Sequence, residues 1–357
     1  MGLNLIVACG GTGGHSFPGL ATAAELASRG HGVTVWMSGR DVESSVLKGW
    51  SGPVFATGAR QLSAKNLAAN LRALWRCRRE MRRARPDALL AMGSYSSLPP
   101  VVAAAGRKVP VVLHEANTVP GRAIEFLSHF AKAIAISFER TAEHFPGKKT
   151  VLTGLPVRMD VAGQPPFEGV PKDAFCVFVT GGSQGAHCVN EIALKAMIML
   201  NRDLASRDRK LYVIHQTGTN DEMEVSRAYA AAGVPARVNA FEHEMGRALA
   251  TADVVVARAG ASTCFELALT GTPAFLIPLP SAMRNHQHYN AAAFAAKQAA
   301  AEGLQAELTP RALSNWLRHK AENPASLAKM AEQMRAISRP DAAARLADLV
   351  ERIAKGE

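Results

Sequence analysis

Short apolar runs alternate with longer helical stretches along the first 160 residues of the chain. The runs are rich in aliphatic and β-branched residues, which is typical of strands in a parallel sheet that is covered on both faces. The alternation therefore predicts βαβ units, with strands at Leu5–Ala8, Val33–Trp36, Ala88–Met92, Val109–Leu113 and Ala133–Ile136.

The same alternation starts again after a stretch rich in Pro and Gly, residues 154–171. At 357 residues the chain exceeds the size at which one hydrophobic core keeps growing, so we expect two α/β domains. The final segment, residues 341–355, has helical periodicity and follows a hinge at Arg339-Pro340, from which it packs back on one domain. The predicted strands of the second half are Cys176–Thr180, Leu211–His215, Asp253–Ala257 and Ala274–Pro278.

A glycine-rich turn follows the first predicted strand of each half. The first is GGTGGH at residues 10–15, and the second is GGSQGAH at residues 181–187. This repetition favours a duplicated Rossmann-like architecture. Glycine lets the backbone approach a ligand closely, and a helix that starts at such a turn directs its N–H groups at an anion. Both turns therefore predict phosphate binding.

An NADP-dependent oxidoreductase is an alternative, because Ser38-Gly39-Arg40 after the second strand suits a 2′-phosphate. It is less favoured for two reasons. Ser16 stands where a dinucleotide motif needs its third glycine, and the chain has no Tyr-x-x-x-Lys pair for hydride transfer.

Polar residues follow the predicted strands of the first half. His15, Tyr95, His114 and Glu115 all lie at or just beyond the carboxyl end of a strand. In an open parallel sheet ligands bind at that edge, so these side chains are predicted to line one crevice. A histidine there is a candidate general base at neutral pH.

The second half offers a matching set. Arg258-Ala259-Gly260 leads into a predicted helix that contains Glu266, whose carboxylate suits two adjacent hydroxyls. The start of that helix suits a phosphate. Further on, the segment from His286 to Asn290 carries amides that both donate and accept, as sugar hydroxyls require.

The net charge of +11 is concentrated in one segment, where nine basic residues between Arg60 and Arg85 face one acid, Glu80. Two interpretations stay open here. The segment is an amphipathic helix on an anionic lipid surface, or it is an ordinary helix that packs its leucines on a sheet. Nucleic acid binding is not indicated, because aromatic content is 6% and no recognition motif is present. The membrane candidates are Leu67, Leu71, Arg72, Leu74, Trp75, Arg76, Arg79 and Arg83.

Other classes are excluded by composition. No apolar run approaches the roughly 18 residues that span a bilayer, and the amino terminus lacks the pattern of a secretory signal. The five cysteines are scattered and lack metal-ligand or redox spacing, which predicts a reducing cytosol and no structural metal.

Five motifs in order resemble the MurG family of glycosyltransferases: GGTGGHSFP, HEANTVPG, GGSQGA, ADVVVARAGASTCFE and HQHYNA. The resemblance implies a GT-B fold with two Rossmann-like domains facing a cleft. It implies an acceptor- and membrane-binding domain at residues 1–159 plus 341–357 and a donor-binding domain at residues 160–340. The implied reaction is inverting transfer of N-acetylglucosamine from UDP-N-acetylglucosamine to lipid I, giving lipid II.

The resemblance also implies residue roles. His15 is the candidate base on the acceptor side, near Tyr95, His114 and Glu115. The residues that would bind the diphosphate are Arg158, Ser183, Ala261, Ser262 and Thr263. Thr12, Gly13 and Gly14 of the first turn would also contact the donor. Glu266 would bind the ribose, and the segment with Phe241, Glu242 and Met245 would bind the uracil. The residues that would contact the sugar hydroxyls are Asn117, Gln287 and Asn290.

The implied partners are UDP-N-acetylglucosamine, lipid I, the anionic cytoplasmic face of the bacterial inner membrane and other cell-wall synthesis proteins. No essential metal is expected, because helix termini and Arg158 offset the charge of the leaving group. The sequence departs from the family at Ser94, Ala116 and Leu155, where the family usually has Gly, Gln and Asn. A UDP-sugar epimerase, a macrolide-type transferase and a non-catalytic basic binding module stay as alternatives.

Overall fold

The computed structural model of the chain describes residues 2–11, 13–39, 47, 49–61, 63–182 and 184–357. The chain divides into two compact units. Unit 1 comprises residues 1–158 and 339–357, and unit 2 comprises residues 159–338.

Unit 1 is built on a parallel sheet. Within the described residues its strand order is β3-β2-β1-β4-β5-β6-β7. The strands are β1 (Asn4–Ala8), β2 (Gly32–Met37), β3 (Val54–Ala56), β4 (Ala88–Ala91), β5 (Val111–Glu115), β6 (Ala133–Ile136) and β7 (Thr150–Leu152). The helices are α1 (Gly13–Ser28), α2 (Leu67–Ala84), α3 (Leu98–Ala105), α4 (Arg122–Leu127) and, from the end of the chain, α12 (Ala342–Lys355). Because the chain order reverses between β1 and β4, the ligand crevice of this sheet is expected there.

The two faces of β1 enter different cores, as the two-residue period of a strand requires. Leu5 and Val7 join a core that includes residues of α1 and α12. Ile6 and Ala8 join the core on the other face, which includes residues of α2 and α3. Both faces of the sheet are therefore covered.

Helix α12 completes unit 1. Its apolar face, which includes Leu346 and Val350, lies in the same core as β1. Arg29 at the end of α1 also binds it, because one guanidinium nitrogen lies 2.6 Å from an Asp348 carboxylate oxygen and 2.9 Å from a Glu351 carboxylate oxygen. The last fourteen-residue helix is thus part of the first unit.

Unit 2 contains a second parallel sheet, whose order within the described residues is β10-β9-β8-β11-β12-β13. Its strands are β8 (Ala174–Thr180), β9 (Lys210–Gln216), β10 (Ala236–Asn239), β11 (Val254–Ala257), β12 (Ala274–Leu276) and β13 (Ala300–Glu302). Its helices are α5 (His187–Ala205), α6 (Glu222–Ala231), α7 (Met245–Thr251), α8 (Ala261–Thr270), α9 (His286–Ala296), α10 (Pro310–Glu322) and α11 (Pro324–Ile337). The order reverses between β8 and β11, which places the second expected crevice between the loops that follow these strands.

The prediction of two parallel α/β sheets is confirmed. Every predicted strand is present, with ends shifted by up to two residues. Short strands of three or four residues at the rims of the sheets were not predicted, namely β3, β7, β10 and β13. Apart from Ala300, their residues are partly buried or exposed, so the apolar signal that marks central strands is weak in them.

Candidate functional site

In unit 1, the loops that follow β1 and β4 touch at the expected crevice. Gly11 has φ of +129°, and a β-carbon there would lie 2.8 Å from the Ser94 hydroxyl oxygen. The Ser96 hydroxyl donates a hydrogen bond to the carbonyl of Gly10. A β-carbon at position 11 would collide with Ser94, so position 11 requires glycine both for its positive φ and for its close packing on the loop after β4.

His15, in the first turn of α1, is held by β4. Its Nδ1 lies 2.9 Å from the carbonyl oxygen of Met92. A carbonyl only accepts, so Nδ1 carries the hydrogen and Nε2 carries the lone pair. The side chain is half-buried. This tautomer presents Nε2 as an acceptor, which is the form that a general base requires.

Glu115 at the end of β5 is 3% exposed and shapes the next loop. Its Oε1 accepts hydrogen bonds from the Asn117 backbone at 2.8 Å and the Asn117 side chain at 3.1 Å. Its Oε2 accepts from the Gly121 backbone at 3.1 Å. Burial raises the pKa of the Glu115 carboxyl to about 7, against the opposing effect of these donors. The carboxyl is turned into its own loop and positions that loop, and its catalytic role stays a prediction.

His114 is also buried, with 1% of its surface exposed. Its Nε2 lies 3.1 Å from the carbonyl oxygen of Gly154, so Nε2 carries the hydrogen. Burial lowers the pKa of the imidazole to about 4, and the nearby His15 adds to this effect. The ring is therefore neutral at pH 7 and ties β5 to residue 154. Its catalytic role also stays a prediction.

Other predicted residues of unit 1 surround this crevice. Asn117 and Tyr95 are half-buried in the loops after β5 and β4. The guanidinium of Arg158 stacks 4.9 Å from the centre of the Phe17 ring, in α1. Gly13 and Gly14 open α1, and Thr12 lies outside the described residues.

In unit 2, the glycine-rich turn after β8 packs on the loop after β9. Gly182 and Gly185 have φ of +88° and +72°. A β-carbon at Gly185 would lie 2.1 Å from the Thr217 carbonyl oxygen, so no larger residue fits. The side chain of Gln216 donates to the Gly182 carbonyl at 2.8 Å. Ser183, predicted at the diphosphate, lies outside the described residues.

A buried chain of hydrogen bonds fixes the start of α5, just beyond this turn. Asn190 donates to an Asp221 carboxylate oxygen at 2.7 Å, and its own oxygen lies 3.2 Å from Nε2 of His215. The other His215 nitrogen lies 3.0 Å from the Tyr229 hydroxyl. Burial lowers the pKa of His215 to about 3, so the ring is neutral. His187 binds the same Asp221 at 3.0 Å, which raises the pKa of the imidazole.

The loop after β11 leads into α8. Gly260 caps this helix and Ala261, Ser262 and Thr263 form its first turn. Ser262, Thr263 and Glu266 are half-buried, so their side chains reach the surface. The N–H groups of this turn have no partners within the helix, so its start suits an anion.

Arg258 lies directly beneath this loop and is 9% exposed. One of its terminal nitrogens donates to the carbonyls of Ile277 and Pro278 at 3.2 and 3.1 Å. The other donates to the side chain of Gln305 at 2.6 Å. All three partners are neutral, and no carboxylate lies within ion-pair distance of Arg258 in the described part of the chain. Burial lowers the pKa of the guanidinium.

Helix α9 braces this loop. Asn290 has no exposed surface, and its side chain donates to the Ala259 carbonyl at 3.1 Å. Gln287 is half-buried and its oxygen accepts from the Leu279 backbone at 3.0 Å. Both amides therefore hold backbone in this conformation, and the sugar contacts assigned to them stay predictions.

Of the predicted uracil segment, the residues from Phe241 to Glu244 border a cavity of about 410 Å³ beyond β10, and Met245 does not. Phe241 is 46% exposed, whereas Glu242 is 3% exposed. The Glu242 carboxylate accepts from the Glu244 backbone at 2.9 Å and from the Asn239 side chain at 3.0 Å. Glu242 thus shapes the loop, and Phe241 is the exposed apolar residue at the cavity.

Sequence reasoning missed the supporting roles of several of these residues. Arg258 carried a detectable signal, since a cation directly after the four buried residues of β11 stands at the ligand edge of the sheet. No sequence signal pointed to Asn190, His215 and Asp221, because their spacing along the chain is irregular and only the fold brings them together.

Both halves of the chain match known families. Residues 5–136 match the glycosyltransferase family 28 N-terminal domain, and residues 176–351 match the glycosyltransferase family 28 C-terminal domain. These matches favour a glycosyltransferase over the nicotinamide-dependent oxidoreductase and over the non-catalytic binding module.

Curated relatives and a solved structure agree with these matches. The chain is 37% identical to the UDP-N-acetylglucosamine--N-acetylmuramyl-(pentapeptide) pyrophosphoryl-undecaprenol N-acetylglucosamine transferase of Mesorhizobium japonicum, over 98% of this chain and 95% of the relative. A protein of the same name from Geobacter metallireducens is 37% identical over 97% of each chain. The crystal structure of Acinetobacter baumannii MurG superposes with a TM-score of 0.79 at 30% identity, over 98% of both chains.

Proposed function

Because the chain belongs to glycosyltransferase family 28 and, within it, to the MurG family, we propose that it transfers N-acetylglucosamine from UDP-N-acetylglucosamine to lipid I. The product is lipid II, a precursor of peptidoglycan. The observation that carries this proposal is the 37% identity to transferases of that name over nearly the whole of both chains. The two parallel sheets are those of the GT-B fold.

We assign the donor to the crevice of unit 2. The start of α8 suits the diphosphate, and the cavity beside Phe241 suits the uracil. Glu266, one and a half turns into α8, is the candidate ligand for the two ribose hydroxyls. Arg258 beneath the loop supplies a positive charge that no carboxylate in the described residues offsets.

We expect Glu266→Ala to weaken binding of UDP-N-acetylglucosamine by about tenfold to a hundredfold, since hydrogen bonds to a charged group contribute about 1.5–3 kcal/mol. Isothermal titration with UDP measures this directly. Glu332→Ala, which removes an exposed carboxylate from α11, is the matched control and leaves the affinity unchanged. Equal affinities of the Glu266 variant and the wild type would remove Glu266 from the donor site.

We assign the acceptor to the crevice of unit 1. In the reaction, the muramyl 4-hydroxyl attacks the anomeric carbon as the bond from that carbon to the β-phosphate breaks. The hydroxyl proton passes to Nε2 of His15, and UDP leaves with the bonding electrons. Attack opposite the leaving group inverts the anomeric centre, giving a β-linked product from an α-linked donor. Glu115 and His114 position the surrounding loops, and Tyr95 stays a candidate contact.

We also propose that α2 binds an anionic membrane surface and holds the enzyme at the cytoplasmic face of the inner membrane. Leu67, Leu71 and Trp75 are 62%, 58% and 62% exposed, so the interpretation in which the leucines pack on the sheet is wrong for these positions. The helix instead buries Ala73, Cys77 and Met81, and Leu74 only partly. The exposed apolar stripe is flanked by arginines, as in interfacial helices. Among the described helices, none is both long and apolar enough to cross a bilayer.

Changing Arg76, Arg79 and Arg83 together to Ser is expected to weaken binding to vesicles with anionic lipid by about a hundredfold, because each basic residue near such a surface contributes about 1 kcal/mol. Co-sedimentation with anionic and with zwitterionic vesicles measures the change. The affinity for UDP should stay the same.

The control for this variant removes the same charge elsewhere. Arg202, Arg209 and Arg227 are exposed in unit 2. Changing these three to Ser should leave vesicle binding close to wild type. Equal losses in both triple variants would show that net charge, and not the surface of α2, attracts the protein to lipid.

The proposed reaction is tested by transfer of labelled N-acetylglucosamine from its UDP donor to a short-chain lipid I analogue. Label in the acceptor, dependent on the muramyl 4-hydroxyl, is the expected result. UDP-glucose and NADPH binding serve as controls. Release of an epimerised UDP-sugar without acceptor would instead establish the epimerase alternative.

A further inference from the structure

The segment that leads into β8 carries one buried aromatic side chain. Residues 163–169 are exposed except for Phe167, which is 9% exposed. Connecting segments usually lie on the surface and do not need a buried ring. The contacts of Phe167 therefore show what this connecting segment does.

Two arginines hold the ring of Phe167. The guanidinium of Arg237, in β10, lies 4.3 Å from the ring centre, and that of Arg247, in α7, lies 5.0 Å from it. Both distances are within the range of cation–π attraction, which is stronger where water is excluded. The Phe167 backbone donates to the Thr251 hydroxyl at 2.8 Å. Arg247 donates to the Pro166 carbonyl at 3.2 Å. The connecting segment is thus fixed to both β10 and α7.

The same two arginines bind the loop between β10 and α7, residues 240–244. Arg237 pairs with Glu242 at 3.3 Å and with Glu244 at 3.8 Å. Arg247 pairs with Glu244 at 3.1 Å. Each guanidinium therefore contacts both the ring of Phe167 and a carboxylate of this loop. The loop, here the base loop, borders the cavity to which the uracil is assigned.

Phe167 and Arg247 act on this cavity from behind the base loop. Arg237, Glu242 and Glu244 border the cavity, whereas Phe167 and Arg247 are not among the described residues that line it. The start of α7 also packs closely on the chain before Phe167, because a β-carbon at Gly246 would lie 2.7 Å from the Asp160 carbonyl oxygen. A change at Phe167 can therefore reach the cavity only through the elements that form the base loop.

We propose that Phe167 is a positioning residue of the donor site, whose ring, held by Arg237 and Arg247, keeps the base loop in the conformation that binds uracil. The inference rests on the proposed function, because it takes the cavity beside Phe241 to hold the base of the donor. It makes a segment that is a connector by its composition part of the support of the nucleotide site.

Phe167→Leu keeps an apolar side chain but removes the ring. The dissociation constant of UDP should rise by about threefold to thirtyfold, because two cation–π contacts that order the base loop are lost. Ribose 5-diphosphate, which is UDP without its base, should bind Phe167→Leu and wild type equally. Competition against labelled UDP measures both affinities. In transfer to a short-chain lipid I analogue, KM for UDP-N-acetylglucosamine should rise while kcat and KM for the analogue stay close to wild type.

Two further variants serve as controls. Phe167→Tyr keeps the ring and should bind UDP as wild type does. Trp316→Leu removes another ring of unit 2 that holds a cation, since Lys320 lies 5.3 Å from the centre of the Trp316 ring in α10. Its affinity for UDP should not change.

Two results would overturn the inference. Equal losses of affinity for UDP and for ribose 5-diphosphate would show that Phe167→Leu disturbs unit 2 as a whole. An unchanged affinity for UDP would show that the ring does not position the base loop. The proposed function fails separately, if wild type binds UDP but transfers no sugar to the lipid I analogue.

Discussion

His15→Ala is expected to lower kcat by about 10²- to 10⁴-fold, the range typical of a lost general base. KM for UDP-N-acetylglucosamine should stay close to wild type, because His15 belongs to unit 1 and the donor is assigned to unit 2. Steady-state transfer to a short-chain lipid I analogue, with each substrate varied in turn, measures both quantities.

The reason for so large a loss is the tautomer. The Met92 carbonyl takes the hydrogen of Nδ1 at 2.9 Å, which leaves the lone pair on Nε2 before any substrate binds. A hydroxyl that attacks a sugar carbon must lose its proton as the bond forms. Without an acceptor for this proton, the reaction passes through a much less stable transition state.

His15→Asn separates catalysis from structure. The asparagine amide can still donate to the Met92 carbonyl, yet offers no basic nitrogen in place of Nε2. It should therefore be as slow as His15→Ala. Recovery of most of the activity in His15→Asn would show that His15 only joins α1 to the end of β4. His129→Ala is the matched control, because the exposed His129 ring makes a similar 3.0 Å contact with a backbone carbonyl.

Periodicity along the chain marks the central strands of both sheets and misses the short strands at their rims. Central strands such as β1 and β8 were predictable because their residues are apolar on both faces. The loops that follow them were predictable because glycine marks positions of positive φ, as at Gly11 and Gly182. Rim strands such as β10 were not, since each of its residues is only partly buried.

The candidate site shows the limit of the same reasoning. Sequence position placed His114 and Glu115 at the ligand edge of their sheet, and they are there, but their side chains turn inward and hold backbone. Which way a side chain turns depends on partners distant in the chain, such as Gly154 for His114. The two arginines that hold Phe167 are likewise distant from it in the chain.

Arg258→Met is expected to lower kcat for sugar transfer by about 10²- to 10³-fold, the loss typical when one group that stabilises transition-state charge is removed. The diphosphate gains negative charge as the bond to the sugar breaks. Arg258 lies buried beneath the loop that begins α8, where its charge is weakly screened. Transfer assays at saturating substrates measure the change, and Arg227→Met, at an exposed position of α6, is the control.

Arg258→Lys tests whether the loss of kcat comes from the missing charge or from the missing hydrogen bonds that Arg258 makes to the surrounding loops. Lysine keeps the charge but cannot bond the carbonyls of Ile277 and Pro278 and the Gln305 side chain all at once. If charge dominates, this variant should retain most of the activity that methionine loses. Equal losses in the two variants would show instead that Arg258 acts by holding the ends of β12 and β13.

Ligand-linked stability supplies an independent measure of the same charge. A buried cation without a carboxylate partner destabilises the empty protein, and a bound diphosphate compensates it. At the same UDP concentration, UDP should therefore raise the melting temperature of wild type more than that of Arg258→Met, since a ligand that binds only the folded state stabilises the tighter-binding protein more. Because this comparison involves no acceptor, it tests the electrostatic role of Arg258 in the donor site even where the base and the acceptor contacts of unit 1 are altered.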